Sequence, residues 1–342
     1  MIVDQALDPF EFFFDKPWSD GLPVVTPTAE RLAWMLSGTT REPDEVIGPV
    51  PPAMNIATVR DVALHAVMAG CLPAYLSVVL GGLAIMLREA FNLNGVQGTM
   101  HGVAPLMIVN GPYAAKIGLH GGNGCLGPGF RANTTIGRAI RLILLNLGGG
   151  IPGLASATVL SSPQRYTACW TENTERSPWE TLAMARGYAP HDDVITCAMV
   201  EAPRLCYDDV SQEPVRLLTG IADTMAAMSS WNMHVRSDMV VVLSPEQATL
   251  CAQAGWSRAN THDWLVAHGG MLVAEMKRGG NWRDERARRI GVDPTDDSAF
   301  VPVIKQPQDL HLIVAGGWGP VSAVAHGWGG GSRAVHGIYE VR

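Results

Sequence analysis

The stretch Met239-Val240-Val241-Val242-Leu243-Ser244-Pro245-Glu246-Gln247 decides the fold class. Its first five residues are apolar without interruption. A half-exposed strand would alternate polar and apolar side chains, so a run of this length and kind reads as a strand covered on both faces. The Ser244 hydroxyl, the proline after it and Glu246 in the following turn are the signals that open a helix. A doubly covered strand that turns directly into a helix is the building unit of an α/β protein.

The same device recurs upstream in Gly21-Leu22-Pro23-Val24-Val25-Thr26-Pro27-Thr28-Ala29-Glu30-Arg31, which predicts a short strand, a Thr cap and a helix running to Met35. Two further apolar runs end on Gly turns, Leu106-Met107-Ile108-Val109-Asn110-Gly111-Pro112 and Leu312-Ile313-Val314-Ala315-Gly316-Gly317. Aligning Val24 with Val242 and Ile108 with Ile313 places both signatures in the same order in the two halves. The expectation is therefore α/β, a sheet covered by helices on both faces, in two pseudo-repeated halves around a central cleft. Residues 1–20, with Phe12, Phe13, Phe14 and Trp18, read as an N-terminal arm. Residues 21–150 form the first half with a Gly-rich loop, 151–200 an irregular cover segment, and 201–342 the second half.

Composition narrows the class. Of 342 residues only 17% are charged, while 47% are hydrophobic, which excludes a disordered chain and leaves material for a large core. The net charge is −7, and the one basic run, Arg283 to Arg289, is interrupted by Asp284 and Glu285, so nucleic acid is not an expected partner. The six cysteines contain no C-x-x-C pair, and the N-terminus carries Asp4, Asp8 and Glu11 in place of a leader, so a cytoplasmic location is expected. Between Asp61 and Arg88 no side chain is formally charged, but Cys71-Leu72-Pro73 breaks the run, which reads as two core helices and not a membrane span.

The segment Leu119-His120-Gly121-Gly122-Asn123-Gly124-Cys125, continuing through Gly127-Pro128-Gly129 to Arg131-Ala132-Asn133-Thr134, is a Gly-rich loop running into a helix. Free amides at a helix start favour an anion, and a guanidinium beside them suits a carboxylate. Asn110, Gly122, Asn123, Arg131, Asn133 and Thr134 are thus the expected substrate-binding residues. The helix dipole and Arg131 would lower a nearby thiol, which makes Cys71 and Cys125 candidate nucleophiles. Glu172 and Glu175, between Trp170 and Trp179, are candidate acid or base groups. Neither a P-loop nor a G-x-G-x-x-G turn occurs, and no H-E-x-x-H metal motif, so cofactor and metal stay open.

Three blocks carry a resemblance. Asp20-Gly21-Leu22-Pro23-Val24-Val25 with Pro27-Thr28, Ala66-Val67-Met68-Ala69-Gly70-Cys71 with Pro73 and Tyr75, and Gly127-Pro128-Gly129 with Arg131-Ala132-Asn133 and Ile136-Gly137-Arg138-Ala139 resemble a widespread bacterial family associated with the UGSC selenocysteine- or cysteine-containing proteins. The similarity runs from Asp20 to about Trp256. It implies an intracellular α/β protein with thiol-linked chemistry, working beside a related subunit. The chain departs from the pattern at His65, where Asn is usual, at Ala74, where Glu is usual, and at Ser77, where Pro is usual. Loss of a catalytic carboxylate at position 74 would make this chain a specialised or inactive member.

Together these readings predict a soluble enzyme that binds an anionic, carboxylate-type metabolite at the Gly-rich loop and uses thiol-dependent redox or addition and elimination chemistry. The alternative is a non-catalytic subunit that completes the active site of a related partner. Either way a homo-oligomer or a hetero-oligomer is expected, with no membrane contact.

Overall fold

A computed structural model describes residues 9–14 and 16–341. In it Met239–Leu243 is a fully buried strand, and the Ser244 side chain accepts from the Gln247 amide to cap the helix Pro245–Gln253. The described residues form twelve strands. In chain order these are β1 (Val46–Val50), β2 (Asn55–Thr58), β3 (Ala104–Asn110), β4 (Cys169–Trp170), β5 (Val194–Val200) and β6 (Arg204–Tyr207). They continue as β7 (Met239–Leu243), β8 (Gly270–Leu272), β9 (Phe300–Pro302), β10 (Leu310–Val314), β11 (Val321–His326) and β12 (Val335–Ile338). A first sheet has the order β12-β5-β3-β4 and a second the order β10-β7-β11-β6, while β1/β2 and β8/β9 are separate antiparallel pairs.

The two four-stranded sheets lie face to face. Leu106, Ile108, Ala198 and Val200 of the first share one buried apolar layer with Val240, Val242, Ala323 and Ala325 of the second. Side chains alternate along a strand, so the intervening residues point the other way. Met107, Val109, Ile195 and Cys197 pack with the helices Val59–Ala69, Leu76–Met86 and Arg131–Asn146. On the far side Met239, Val241, Leu243 and Val324 pack with Pro214–Met225 and with Leu265 of the helix Arg258–His268. The protein is α/β with helices on both outer faces, and two sheets, not one, lie between them. The small side chains of Ala198, Ala323 and Ala325 let the sheets approach.

Each sheet repeats one pattern of pairings. From the edge inward, β12/β5 and β5/β3 are antiparallel and β3/β4 parallel, just as β6/β11 and β11/β7 are antiparallel and β7/β10 parallel. The first three strands of each set build one sheet, and the fourth crosses to the edge of the other. By position in the sheets β3 therefore matches β7, so Ile108 matches neither Ile313 nor any residue of β10. The expected strand at Leu22–Val25 does not form. Pro23 and Pro27 have no amide to donate, and the Val25 amide bonds the Met68 carbonyl at a helix end. The cap falls on Thr28, ahead of Ala29–Leu36. Residues 194–200, grouped above with the irregular cover, are the strand β5 at the centre of the first sheet.

The aromatic arm packs on this chain. Phe13 is buried in the helical core with Phe12 and Trp18 against it, whereas Phe14 is exposed; residues 1–8 lie outside the described ones. Asp20 anchors the arm through both carboxylate oxygens to Arg138, at 2.9 Å from Nε and 2.8 Å from Nη2. The uncharged segment 62–87 is two helices broken at Gly70, which takes the left-handed conformation. No single helix among the described residues is long and apolar enough to cross a membrane. Because the Asp20 side chain is 2% exposed and that of Arg138 12%, removing one partner strands a charge. Asp20→Ala should lower unfolding free energy by about 3 kcal/mol in a denaturant titration.

Candidate functional site

The cleft that gathers half of the expected residues lies at the carboxyl ends of β3, β4 and β10. Asn110 is the last residue of β3, Thr171 and Glu172 follow β4 directly, and Val314 closes β10. Gly111 leaves β3 at φ +112°, and a side chain there would run into Asp193, so glycine is required for the chain to turn aside. The loop that follows brings Gly121 against the Glu172 backbone, where a Cβ would collide with the Glu172 carbonyl. This close approach leaves a cleft of about 460 Å³ bounded by Asn110, His120, Gly122, Asn123, Glu172 and Arg176.

Glu172 is the chemical centre of the floor. It is 4% exposed and accepts three hydrogen bonds: from Asn110 Nδ2 at 3.0 Å, from the Leu182 amide at 2.7 Å and from the Val314 amide at 3.4 Å. Burial pushes its carboxyl up to about 7, and the three donors and the Arg258 charge only partly oppose that. Asn110, 2% exposed, gives its amide to Glu172 and leaves Oδ1 buried without a partner. The floor thus presents a carboxyl balanced between its two protonation states beside an unsatisfied acceptor. Glu175 and Arg176 are exposed at the rim.

The other expected residues divide between neighbouring places. Asn133 holds the Gly-rich loop, bonding the His120 amide and carbonyl at 2.9 and 2.8 Å and the Cys125 carbonyl at 3.3 Å. Its side chain is occupied by backbone and is not offered to a ligand. Thr134 is half-buried in the first turn of Arg131–Asn146, where its amide bonds the Phe130 carbonyl. Arg131 turns away from the cleft, its Nε bonding the Gly70 carbonyl at 3.0 Å, where a cation complements the end of Val59–Ala69. Helix start and cleft are therefore separate features.

Both thiols differ from expectation in the same direction. Burial raises Cys71 to about 12, with Thr135 and Arg131 opposing, and raises Cys125 to about 11, with the Gly316 backbone opposing. Desolvation outweighs dipole and guanidinium. Cys71 lies in the helical core. Cys125 borders a second cleft of about 530 Å³ that shares Asn123 with the first and is walled by Leu126, Leu205, Gly316 and Trp318.

Some participants carried no signal in the sequence. Asn173 ties the cover to the second sheet, its amide bonding the Val314 carbonyl at 2.8 Å and its Nδ2 the Gly316 carbonyl at 2.9 Å. At the other end of β7 and β10, buried Asp238 and His311 pair at 2.9 Å, and Arg186 reaches His311 Nδ1 at 3.0 Å. Nothing short of the pairing of β7 with β10 would have joined residues so distant in the chain. Among the described residues no three His, Cys, Asp or Glu side chains are grouped to hold a metal ion. Compared with family models, curated proteins and solved structures, the chain matches none.

The raised carboxyl has a measurable sign. The folded state holds the Glu172 proton up to about 7, whereas an unfolded glutamate releases it near 4.5. Between those values the native state binds more protons, so the contribution is present below 4.5 and is lost as pH rises through 7. Stability should fall by on the order of 3 kcal/mol across that window from this group alone. Glu172→Gln should flatten that part of the profile in denaturant titrations run at a series of pH values.

Proposed function

We propose that the protein is an enzyme that binds a small anionic metabolite in the Asn110–Glu172 cleft and uses Glu172 to move a proton. The observation that carries this reading is the buried carboxyl near neutral pKa beside an acceptor with no partner. An unpaired buried acceptor costs about 1–3 kcal/mol, and a ligand hydroxyl or amine donating to Asn110 Oδ1 would recover it. Arg176 at the rim suits the acidic end of the same molecule. A hydroxy acid or amino acid has both groups. With the thiols of Cys71 and Cys125 held protonated by burial, proton transfer falls to Glu172, and proton abstraction at carbon is favoured over thiol redox chemistry.

The step is a proton abstraction. The Glu172 carboxylate takes the hydrogen on the carbon that bears the hydroxyl or amine, the C–H electron pair passes into the adjacent carboxyl to give an enediolate, and Glu172, its proton exchanged with solvent, returns a proton to the same carbon. The test uses glycolate, lactate and malate in deuterated water, with solvent deuterium entering the carbon next to the carboxylate followed by NMR. Wild-type protein should catalyse the exchange with at least one of the three. Glu172→Gln should slow it by about 10²–10⁴-fold while the acid still binds. Exchange that persists in Glu172→Gln, or failure of all three acids to bind, overturns the proposal. Asn110→Leu, which removes the acceptor, should weaken binding of the same acid by about 1–3 kcal/mol in calorimetry.

A further inference from the structure

We propose that β6 is the contact through which two copies of this chain pair, edge to edge and antiparallel, so that the two second sheets join into one. β6 is an edge strand whose inner neighbour is β11, and its alternate residues have different partners. The Asp208 amide bonds the Pro320 carbonyl, so in an antiparallel ladder Cys206 and Arg204 share in the bonds to β11, while Leu205 and Tyr207 turn their amides and carbonyls outward. Outside the β6/β11 ladder, no backbone bond from Leu205 or Tyr207 is found among the described residues. The two residues are 67% and 69% exposed. Edge strands are normally protected by charge, proline or a covering group, and the outward positions of β6 carry none of these.

The matching edge of the first sheet shows the contrast. There the Tyr339 amide bonds the Asp193 carbonyl, which turns His336 and Ile338 of β12 outward, and Arg88 Nη1 occupies the His336 carbonyl at 3.1 Å. One edge is guarded and the other is open.

The sequence of the open edge is complementary to itself. An antiparallel two-fold pairing centred on Cys206 sets Leu205 against the partner's Tyr207 and Arg204 against the partner's Asp208. That register uses the outward amides and carbonyls of Leu205 and Tyr207 and leaves the β11 ladder intact. It also gives an apolar pair on one face and an ion pair on the other, the arrangement an isologous contact requires. Exposed Val210 and Trp318 extend the apolar surface beside it. Because Leu205 borders the cleft that holds Cys125, the partner's Tyr207 would form part of that wall. The contact therefore does not depend on the proposed chemistry of Glu172, but it closes the neighbouring cleft.

The register makes a specific covalent prediction. Cys206 meets its own symmetry mate as a pair without mutual hydrogen bonds, with Cα atoms about 4.5 Å apart, within disulfide reach. The other five cysteines are buried. Sedimentation equilibrium of the full chain at micromolar concentration should give twice the chain mass. Tyr207→Pro removes an outward amide and the exposed ring while leaving the β11 ladder intact, and should give one chain mass with an unchanged circular dichroism spectrum. Arg204→Asp sets like charges opposite each other and should also shift the chain toward one mass. Copper-phenanthroline oxidation should link two wild-type chains, and Cys206→Ser should abolish the link. A wild-type chain that sediments as a monomer, or a dimer unaffected by Tyr207→Pro, overturns the proposal. If Tyr207→Pro unfolds the chain, the link decides alone, and its absence overturns the proposal.

Discussion

The central strands of both sheets are apolar on both sides, and this single constraint organises the molecule. A strand such as β3 or β7 cannot leave either face to water without forfeiting the burial that drives folding. Helices satisfy the outer faces. The inner faces are satisfied by each other, through a layer of Leu, Ile, Val and Ala side chains shared between the sheets. Low overall charge follows, because four layers of secondary structure leave comparatively little surface for charged residues to occupy.

Stacking two sheets brings the carboxyl ends of β3, β4 and β10 into one neighbourhood, and the polar groups found there follow from how the ends are held. Glu172 accepts from the end of β3 through Asn110, from the end of β10 through Val314 and from the helix start at Leu182. The same carboxyl that links the two sheets is therefore the group made titratable near neutral pH by its burial. The group that titrates near neutral pH is thus held by backbone and side-chain donors from three elements. The glycines at 111 and 121 serve this arrangement by letting backbone approach backbone, which explains part of the glycine surplus in physical terms.

Much of the local structure could be read directly. The Ser244-Pro245 cap, the strand at 106–110, the helix from Arg131 and the break at Gly70–Pro73 each depend on residues adjacent in the chain, whose propensities agree with the structure. The helix near Thr28 was legible, and its cap is Thr28, whose hydroxyl accepts from the Arg31 amide. Long-range pairing was not legible. No residue in β3 announces that β4, about sixty positions on, lies parallel to it, and nothing in β5 announces that the next strand belongs to another sheet. The site was half legible for the same reason. Asn110, Gly122, Asn123, Glu172 and Glu175 do border one cleft, while Arg131 and Asn133, adjacent to that loop in sequence, were drawn off by Gly70 and by the loop backbone.

The exchange of β6 and β12 also sets an order of events during synthesis. The first sheet has three of its strands once residue 200 has emerged, yet its edge is completed only by residues 335–338. Until then β5 waits with an open side, and the Arg88 side chain has no β12 carbonyl to meet. β6 meanwhile emerges before any strand of the sheet it will join. A ribosome carrying two-thirds of this chain therefore holds one sheet without its edge strand and one strand, β6, without its sheet. Until residue 335 has emerged, the order of the strands leaves one side of β5 without its neighbour.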